Sequence, residues 1–330
     1  MKHLVVAGFV LLLVACQQES QRALDPSAEA FLTALAEQSD SGEASEDLDP
    51  LDAWRKAMED AIVLAGEPEH VEAIEEIGIT SSDGEVRLRI YRSGEHSHKA
   101  VLYFHGGGFV GGNVDTIDTP LRRLANQSNR IVVSVDYRLA PESPYPAALE
   151  DALTALTYVS DHSDELGISK EHIAVMGDSA GGNIAASLAI LVQEESGPEI
   201  EQQVLIYPNT DLTPEWSSRW ASVEENREML HSPEMLTGFF ASYAQDSDPN
   251  RPTVSPVLSD DLSGLPPALI VTAGYDLLRD EGIAYAERLK EAGVSTRHWH
   301  YDDQIHGFFQ FAAVIPTGGN LIDRIAAEIQ

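Results

Sequence analysis

The chain of 330 residues has a single cysteine, Cys16, so no intrachain disulfide can form and no thiol is available for catalysis. Basic residues are scarce. Lys and Arg together number 21 against 54 Asp and Glu, and only five of them are lysine, which leaves a formal net charge of −33. That balance excludes nucleic acid as a natural partner and disfavours direct adhesion to anionic head groups. It also suggests a surface adapted to high ionic strength, where repulsion among carboxylates is screened. No Gly-Lys-Ser/Thr sequence closes a glycine-rich phosphate loop, and no internal repeat is evident. The apolar run Leu4–Ala15 is too short to span a bilayer, which needs about 20 residues.

That run, preceded by Lys2, suits the apolar stretch of an export signal. Leu13-Val14-Ala15-Cys16 resembles a bacterial lipoprotein cleavage box, in which Cys16 becomes the lipid-bearing N-terminus. The expected organisation is a signal peptide over 1–15, a lipidated Cys16 with a short tether to residue 23, and one folded domain from 24 to 330. Residues 17–23 reach at most about 25 Å when extended, so the folded domain is expected close to the membrane. Gln17, rather than aspartate, follows the cysteine, which in Gram-negative lipoproteins suggests sorting to the outer membrane.

Two motifs carry chemistry. His172–Met176 reads as a buried strand and Gly182–Val192 as an apolar helix, which places Gly177-Asp178-Ser179-Ala180-Gly181 on the turn between them. A turn this sharp strains the serine backbone, and side chains at Gly177 or Gly181 would collide with the neighbouring strand and helix. Ser179 Oγ is thereby exposed at the carboxyl edge of a sheet, beside the Ala180 amide at the positive end of the helix. Upstream, Val101–Phe104 reads as another buried strand, followed directly by His105-Gly106-Gly107-Gly108-Phe109. Three consecutive glycines cost conformational entropy, so they are expected to serve geometry: the amides of Gly107 and Gly108 converge with that of Ala180 on a substrate oxyanion. Together the two motifs imply acyl transfer through a serine ester, with no cofactor and no metal.

The chain resembles the bacterial hormone-sensitive lipase family of α/β-hydrolases. The resemblance rests on HGGGF (105–109), DYRLAPE (136–142) with YPAALED (145–151), GDSAGG (177–182), DLLRDEG (276–282) and HGF (306–308), and runs from about residue 24 to the C-terminus. It implies a mostly parallel eight-stranded sheet with helices on both faces and a helical cap over the active site.

A serine nucleophile needs a general base, and the base needs a carboxylate to hold its tautomer. In this fold the acid and then the histidine follow the serine. His298 and His300 alternate within 296–301, which reads as a strand, and are expected to be structural; His306 lies in the loop beyond it and is the expected base. Pro267–Gly274 is a strand ending just before Asp276, at the sheet edge where catalytic groups gather. Asp280, Asp302 and Asp303 compete; the first is expected to support the following helix and the pair to be solvated. The resemblance makes Asp276 the acid, with Leu277 standing where the family commonly has proline. Tyr137, Arg138 and Glu142 are expected to support the glycine loop from beneath, and Asp178 to serve the turn or the helix start.

Strand-like runs (86–91, 101–104, 131–135, 172–176, 203–207, 267–273, 296–301) alternate with helical patterns (118–128, 146–160, 182–195, 281–292), which argues for a mainly parallel sheet covered on both faces. Two stretches stand outside this alternation. Residues 24–66 carry two helices starting at Asp25-Pro26 and Asp49-Pro50, each a good cap followed by proline. Residues 211–246 carry Trp216, Trp220, Phe239, Phe240 and Tyr243 at helical spacing. The resemblance implies that both form the cap, although each aromatic taken singly reads as packing. The expected function is a carboxylesterase for short- to medium-chain acyl esters. Deacetylation and aryl-amide hydrolysis are alternatives on the same fold, and a non-catalytic binding relative or a structural lipoprotein has less support. A homodimer is allowed but not specified.

Overall fold

In the computed structural model, which describes residues 23–40, 49–94 and 97–330, the apolar runs form strands β1 (Ala73–Ser81), β2 (Gly84–Arg92), β3 (Ala100–Phe104), β4 (Ile131–Asp136), β5 (Ile173–Asp178), β6 (Gln203–Ile206), β7 (Ala268–Tyr275) and β8 (Thr296–Ile305). Among the described residues they build one sheet in the order β1-β2-β4-β3-β5-β6-β7-β8. β2 runs antiparallel to both β1 and β4, and every other pairing is parallel. The helices are α1 (Pro26–Asp40), α2 (Pro50–Asp60), α3 (Asp118–Ser128), α4 (Ala147–Asp161), α5 (Ser163–Leu166), α6 (Ala180–Glu195), α7 (Trp216–Arg219), α8 (Ala221–Glu225), α9 (Pro233–Ala244), α10 (Arg279–Glu291) and α11 (Pro316–Ile329).

The central strands are buried along their whole length, as parallel strands covered on both sides must be. Alternate side chains feed two separate cores. Leu102 and Phe104 of β3 pack with Ala152 and Leu156 of α4 and Ile184 and Leu188 of α6. Val101 and Tyr103 pack on the opposite face with Leu121 and Leu124 of α3 and Leu321 and Ile325 of α11. The eight-stranded α/β architecture implied by the motifs is the one observed.

The pattern of apolar residues yields seven strands; the eighth, β1, escapes it. β1 is an edge strand in which Ile79 alone is buried and Glu75 and Glu76 face solvent, so it lacks the apolar signature of its neighbours. Its place is set by the hairpin to β2, with Ser81 opposite Gly84. β8 continues to Ile305, so Asp302 and Asp303 belong to the strand rather than to a loop. The expected caps form: Asp25 accepts from the Ser27 and Ala28 amides, and Asp49 from those of Leu51 and Asp52. Cys16, the signal assigned to 1–15 and the tether assigned to 16–23, all but its last residue, lie outside the described residues. Among those that are described, no helix is long and apolar enough to cross a membrane.

This topology positions the site. β3, β5 and β7 run parallel to one another, and β8 joins them, so that His105, Ser179, Asp276 and His306 all follow strand ends at one edge of the sheet.

Candidate active site

Ser179 sits between β5 and α6 with φ 55° and ψ −118°, a conformation that side-chain-bearing residues rarely adopt. Such a residue costs on the order of 1–3 kcal/mol and persists only where its surroundings enforce it. Here they do. The Ser179 amide donates to Ile206 O (2.8 Å), and its carbonyl accepts from Asn183 N and Asn209 N (both 3.2 Å). The flanking glycines are obligatory: a Cβ at Gly177 would lie 2.2 Å from Gly181 O, and one at Gly181 would lie 2.0 Å from Phe104 O.

His306 and Asp276 complete a chain of contacts. His306 Nε2 lies 2.9 Å from Ser179 Oγ, and His306 Nδ1 lies 2.8 Å from Asp276 Oδ2. With Asp276 ionised, Nδ1 carries the proton and donates to the carboxylate, which leaves Nε2 as acceptor for the serine hydroxyl. Asp276 is held in turn by the Leu278 amide on Oδ1 (2.9 Å). Exposure is 9% for Ser179, 2% for Asp276 and 7% for His306, so the three interact almost out of water. Tyr207 packs on the His306 ring, with centroids 4.5 Å apart.

The competing residues are engaged elsewhere. Asp280 accepts from Ser222 N and pairs with Arg279, supporting the start of α10. Asp302 and Asp303 lie on β8, before the loop that carries His306. His298 and His300 both bond Thr272 Oγ1 across the strand pair.

The glycine loop after β3 is turned sharply: Gly107, Gly108 and Phe109 have φ of 127°, 67° and 66° in succession. The amides of Gly107, Gly108 and Ala180 donate to no acceptor among the described residues. Tyr137 supports the loop as expected, its hydroxyl donating to His105 O (2.7 Å). Asp178 departs from the expected turn or cap role. It ends β5, fully buried, and accepts from Tyr103 OH (2.7 Å), Gly106 N (2.8 Å) and Gln310 Nε2 (2.7 Å). Its carboxylate thus pins the root of the glycine loop to the serine turn. Burial raises its pKa even though these donors pull it down.

Ser179, His306, Gly107 and Gly108 open into a cavity of about 170 Å³. One wall is Phe31 of α1 with Ala57 and Met58 of α2, and the other is Leu236 and Phe239 of α9. The two stretches that stand outside the strand–helix alternation therefore meet over Ser179. His231 also lines the cavity, its ring edge-on to His306 with centroids 5.0 Å apart. Burial and the neighbouring His306 push its pKa down to about 3, so the His231 ring is neutral near pH 7.

Other proteins share this organisation. The family described as alpha/beta hydrolase fold matches residues 101–310. The chain belongs to that family. Esterase LipI of Mycobacterium tuberculosis is 39% identical over 84% of this chain and 87% of its own length. Carboxylesterase NlhH of the same species is 42% identical over 70% of this chain and 72% of its own. The crystal structure of an α/β hydrolase enzyme from the metagenome of Lake Arreo, Spain, superposes with a TM-score of 0.87 at 36% identity, covering 94% of this chain and 98% of that one. This α/β hydrolase is an ester hydrolase of the carboxylesterase kind.

Some of the residues that shape the hydrolase's site carry no motif. Trp54 and Arg55 of α2 bond carbonyls of the glycine loop, and Glu142, expected to lie beneath that loop, pairs instead with Arg55. Arg138 is committed to Asp151. Of the singled-out aromatics, Trp216, Phe240 and Tyr243 are core, whereas Phe239 reaches the cavity. An amphipathic pattern shows that α2 has an inner face, but not which loop that face meets.

Proposed function

We propose that this ester hydrolase cleaves short- to medium-chain acyl esters, with Ser179 as nucleophile, His306 as general base and acid, and Asp276 as the carboxylate that orients His306. The observation carrying this reading is the continuous relay Asp276–His306–Ser179, with contacts of 2.8 and 2.9 Å, beside three unpartnered amides. His306 Nε2 takes the hydroxyl proton as Ser179 Oγ bonds the ester carbonyl carbon. The negative oxygen of the tetrahedral intermediate is held by the amides of Gly107, Gly108 and Ala180, the last at the positive end of α6. The C–O bond to the alcohol breaks, and His306 gives the proton to the departing oxygen. Water then attacks the acyl-serine, His306 taking its proton and returning one to Ser179 as the carboxylic acid leaves. Asp276 stabilises the imidazolium at each stage.

Residues 24–66 and 211–246 act as the cap. Its apolar inner wall and the small cavity, well below the roughly 300 Å³ and more typical of larger ligands, favour a short chain. Ser179→Ala removes the nucleophile without disturbing the turn, so hydrolysis of p-nitrophenyl acetate and butyrate should fall at least about 1000-fold with the melting temperature unchanged. On a panel from acetyl to palmitoyl, wild-type activity should peak at short to medium chains. Ester hydrolysis near the wild-type rate in Ser179→Ala would refute the nucleophile, and a maximum at palmitoyl would refute the chain length.

The lipoprotein reading of the N-terminus is part of the same proposal: export, acylation at Cys16 and a short tether would hold the domain at the cell envelope. In a bacterial host, Cys16→Ala should move the protein from membrane to soluble fractions. Unchanged fractionation would count against lipidation.

A further inference from the structure

The glycine loop has three successive residues at positive φ, one of them Phe109, which carries a side chain. A peptide run of this kind relaxes by turning over unless its carbonyls are held, and a turned peptide would aim its N–H away from the substrate. The holding contacts can be traced carbonyl by carbonyl. Gly107 O accepts from Gly111 N (3.0 Å) and from Trp54 Nε1 (3.3 Å). Phe109 O accepts from Ala140 N (2.9 Å). Val110 O accepts from Arg55 Nε (2.7 Å). The same guanidinium donates to Ala140 O (3.2 Å) and, through both terminal nitrogens, to Glu142 (2.7 Å each). One planar group thus ties three segments together: α2, the glycine loop, and the 139–143 turn that itself bonds the loop. Arg suits this because its donors form a rigid fork, which a lysine ammonium cannot reproduce.

The Arg55–Glu142 pair contributes little to global stability. Glu142 is 60% exposed, and ion pairs in that setting are weak. The contacts to Val110 O and Ala140 O are more enclosed, and they act on the loop that carries Gly107 and Gly108 into the cavity beside Ser179.

We propose that Arg55 is a positioning residue for the reaction: the N-terminal helix α2, outside the α/β sheet, sets the aim of the Gly107 and Gly108 amides through it. This rests on the oxyanion role proposed for those amides. The cap helix therefore shapes the transition-state site as well as the cavity wall.

The test compares wild type, Arg55→Lys and Arg55→Met on p-nitrophenyl butyrate, with melting temperatures as the control for folding. Misaimed donors weaken transition-state binding more than ground-state binding, so kcat should fall about 10- to 100-fold in Arg55→Met while KM stays within about threefold. Arg55→Lys should fall between Arg55→Met and wild type, because a single ammonium nitrogen lacks the planar fork that reaches both carbonyls through separate nitrogens. Affinity for a tetrahedral boronic acid inhibitor, whose adduct places an oxyanion at the amides, should drop in parallel with kcat. Should Arg55→Met fail to fold, a reduced kcat with normal KM in Arg55→Lys carries the test. Wild-type kcat in Arg55→Lys, or a loss confined to KM, would overturn the positioning role and leave the nucleophile assignment standing. Absence of ester hydrolysis in wild type would instead overturn the underlying reading.

Discussion

Glu281 shows how far a single buried side chain can depart from its ordinary chemistry. It is fully buried at the start of α10, and Oε1 accepts from the amides of Thr210 (2.6 Å) and Asp211 (3.3 Å). Burial, and next the Asp211 carboxyl beside it, raise its pKa well above the usual carboxylate range. In the unfolded chain the same group ionises near pH 4.5. Between that pH and its raised folded value the unfolded state therefore gains from releasing a proton that the folded state retains. Stability is lost as pH rises through this window, by about 1.4 kcal/mol for each tenfold difference in proton affinity. Glu281→Gln keeps the acceptor and removes the titration. Its melting temperature relative to wild type should rise from about pH 5 to about pH 8, and thermal melts at both values check this. Asp178 illustrates the complementary case: its carboxylate finds three donors, and its contacts to Gly106 and Gln310 could not be inferred from its place in the serine motif.

Among elements, the β5–α6 turn is the least tolerant. Gly181 lies against the Phe104 and His105 carbonyls, at the point where β3 gives way to the glycine loop. A methyl group there must push the helix off the sheet or displace the end of β3. Gly181→Ala should therefore cost about 3 kcal/mol or more in urea denaturation, and any folded fraction should hydrolyse esters poorly, because the loop moves with the strand. Element type is legible in the sequence wherever burial is uniform. β3, β5 and β7, buried on both faces, read directly as apolar runs. β1 does not, because an edge strand with glutamates on its faces carries no such run, and only the hairpin to β2 defines it. α11 also escapes the pattern, although it covers one face of the sheet against α3. Its two glycines lower its helical propensity, and packing of Leu321, Ile322 and Ile325 against the core compensates.

For the molecule as a whole, charge outweighs every other surface property. A net −33 on a chain of this size means strong mutual repulsion, most of it between exposed carboxylates. Among the described residues, arginines supply nearly all the ion pairs to these carboxylates, as with Arg89 to Glu76 and Asp115, and Arg123 to Asp323. Salt weakens such exposed pairs and the repulsion alike, but repulsion has many more members. The screening length falls from about 10 Å at 0.1 M to about 3 Å at 1 M ionic strength. The melting temperature should accordingly rise by several degrees between about 0.02 and about 0.5 M NaCl; a flat or falling trend would remove the adaptation to high salt.

The groups on which the proposed chemistry rests are written in the sequence. A serine flanked by glycines between an apolar strand and an apolar helix, a glycine loop after another strand, and a histidine in the loop beyond the last strand are placed by local sterics and strand ends, whereas Asp276 was singled out among its competitors by the family resemblance. What the tertiary structure decided was how these groups are held. The carboxylate of Asp178 reaching back to Gly106, the guanidinium of Arg55 bridging α2 to Val110 and Ala140, and the neutral ring of His231 beside His306 are contacts between segments far apart in the chain. Periodicity and turn chemistry act over a few residues and can only say that such side chains face inward. The partner each one finds depends on how α2 and the 211–246 stretch settle on the sheet, which is a property of packing between elements and has no local signature.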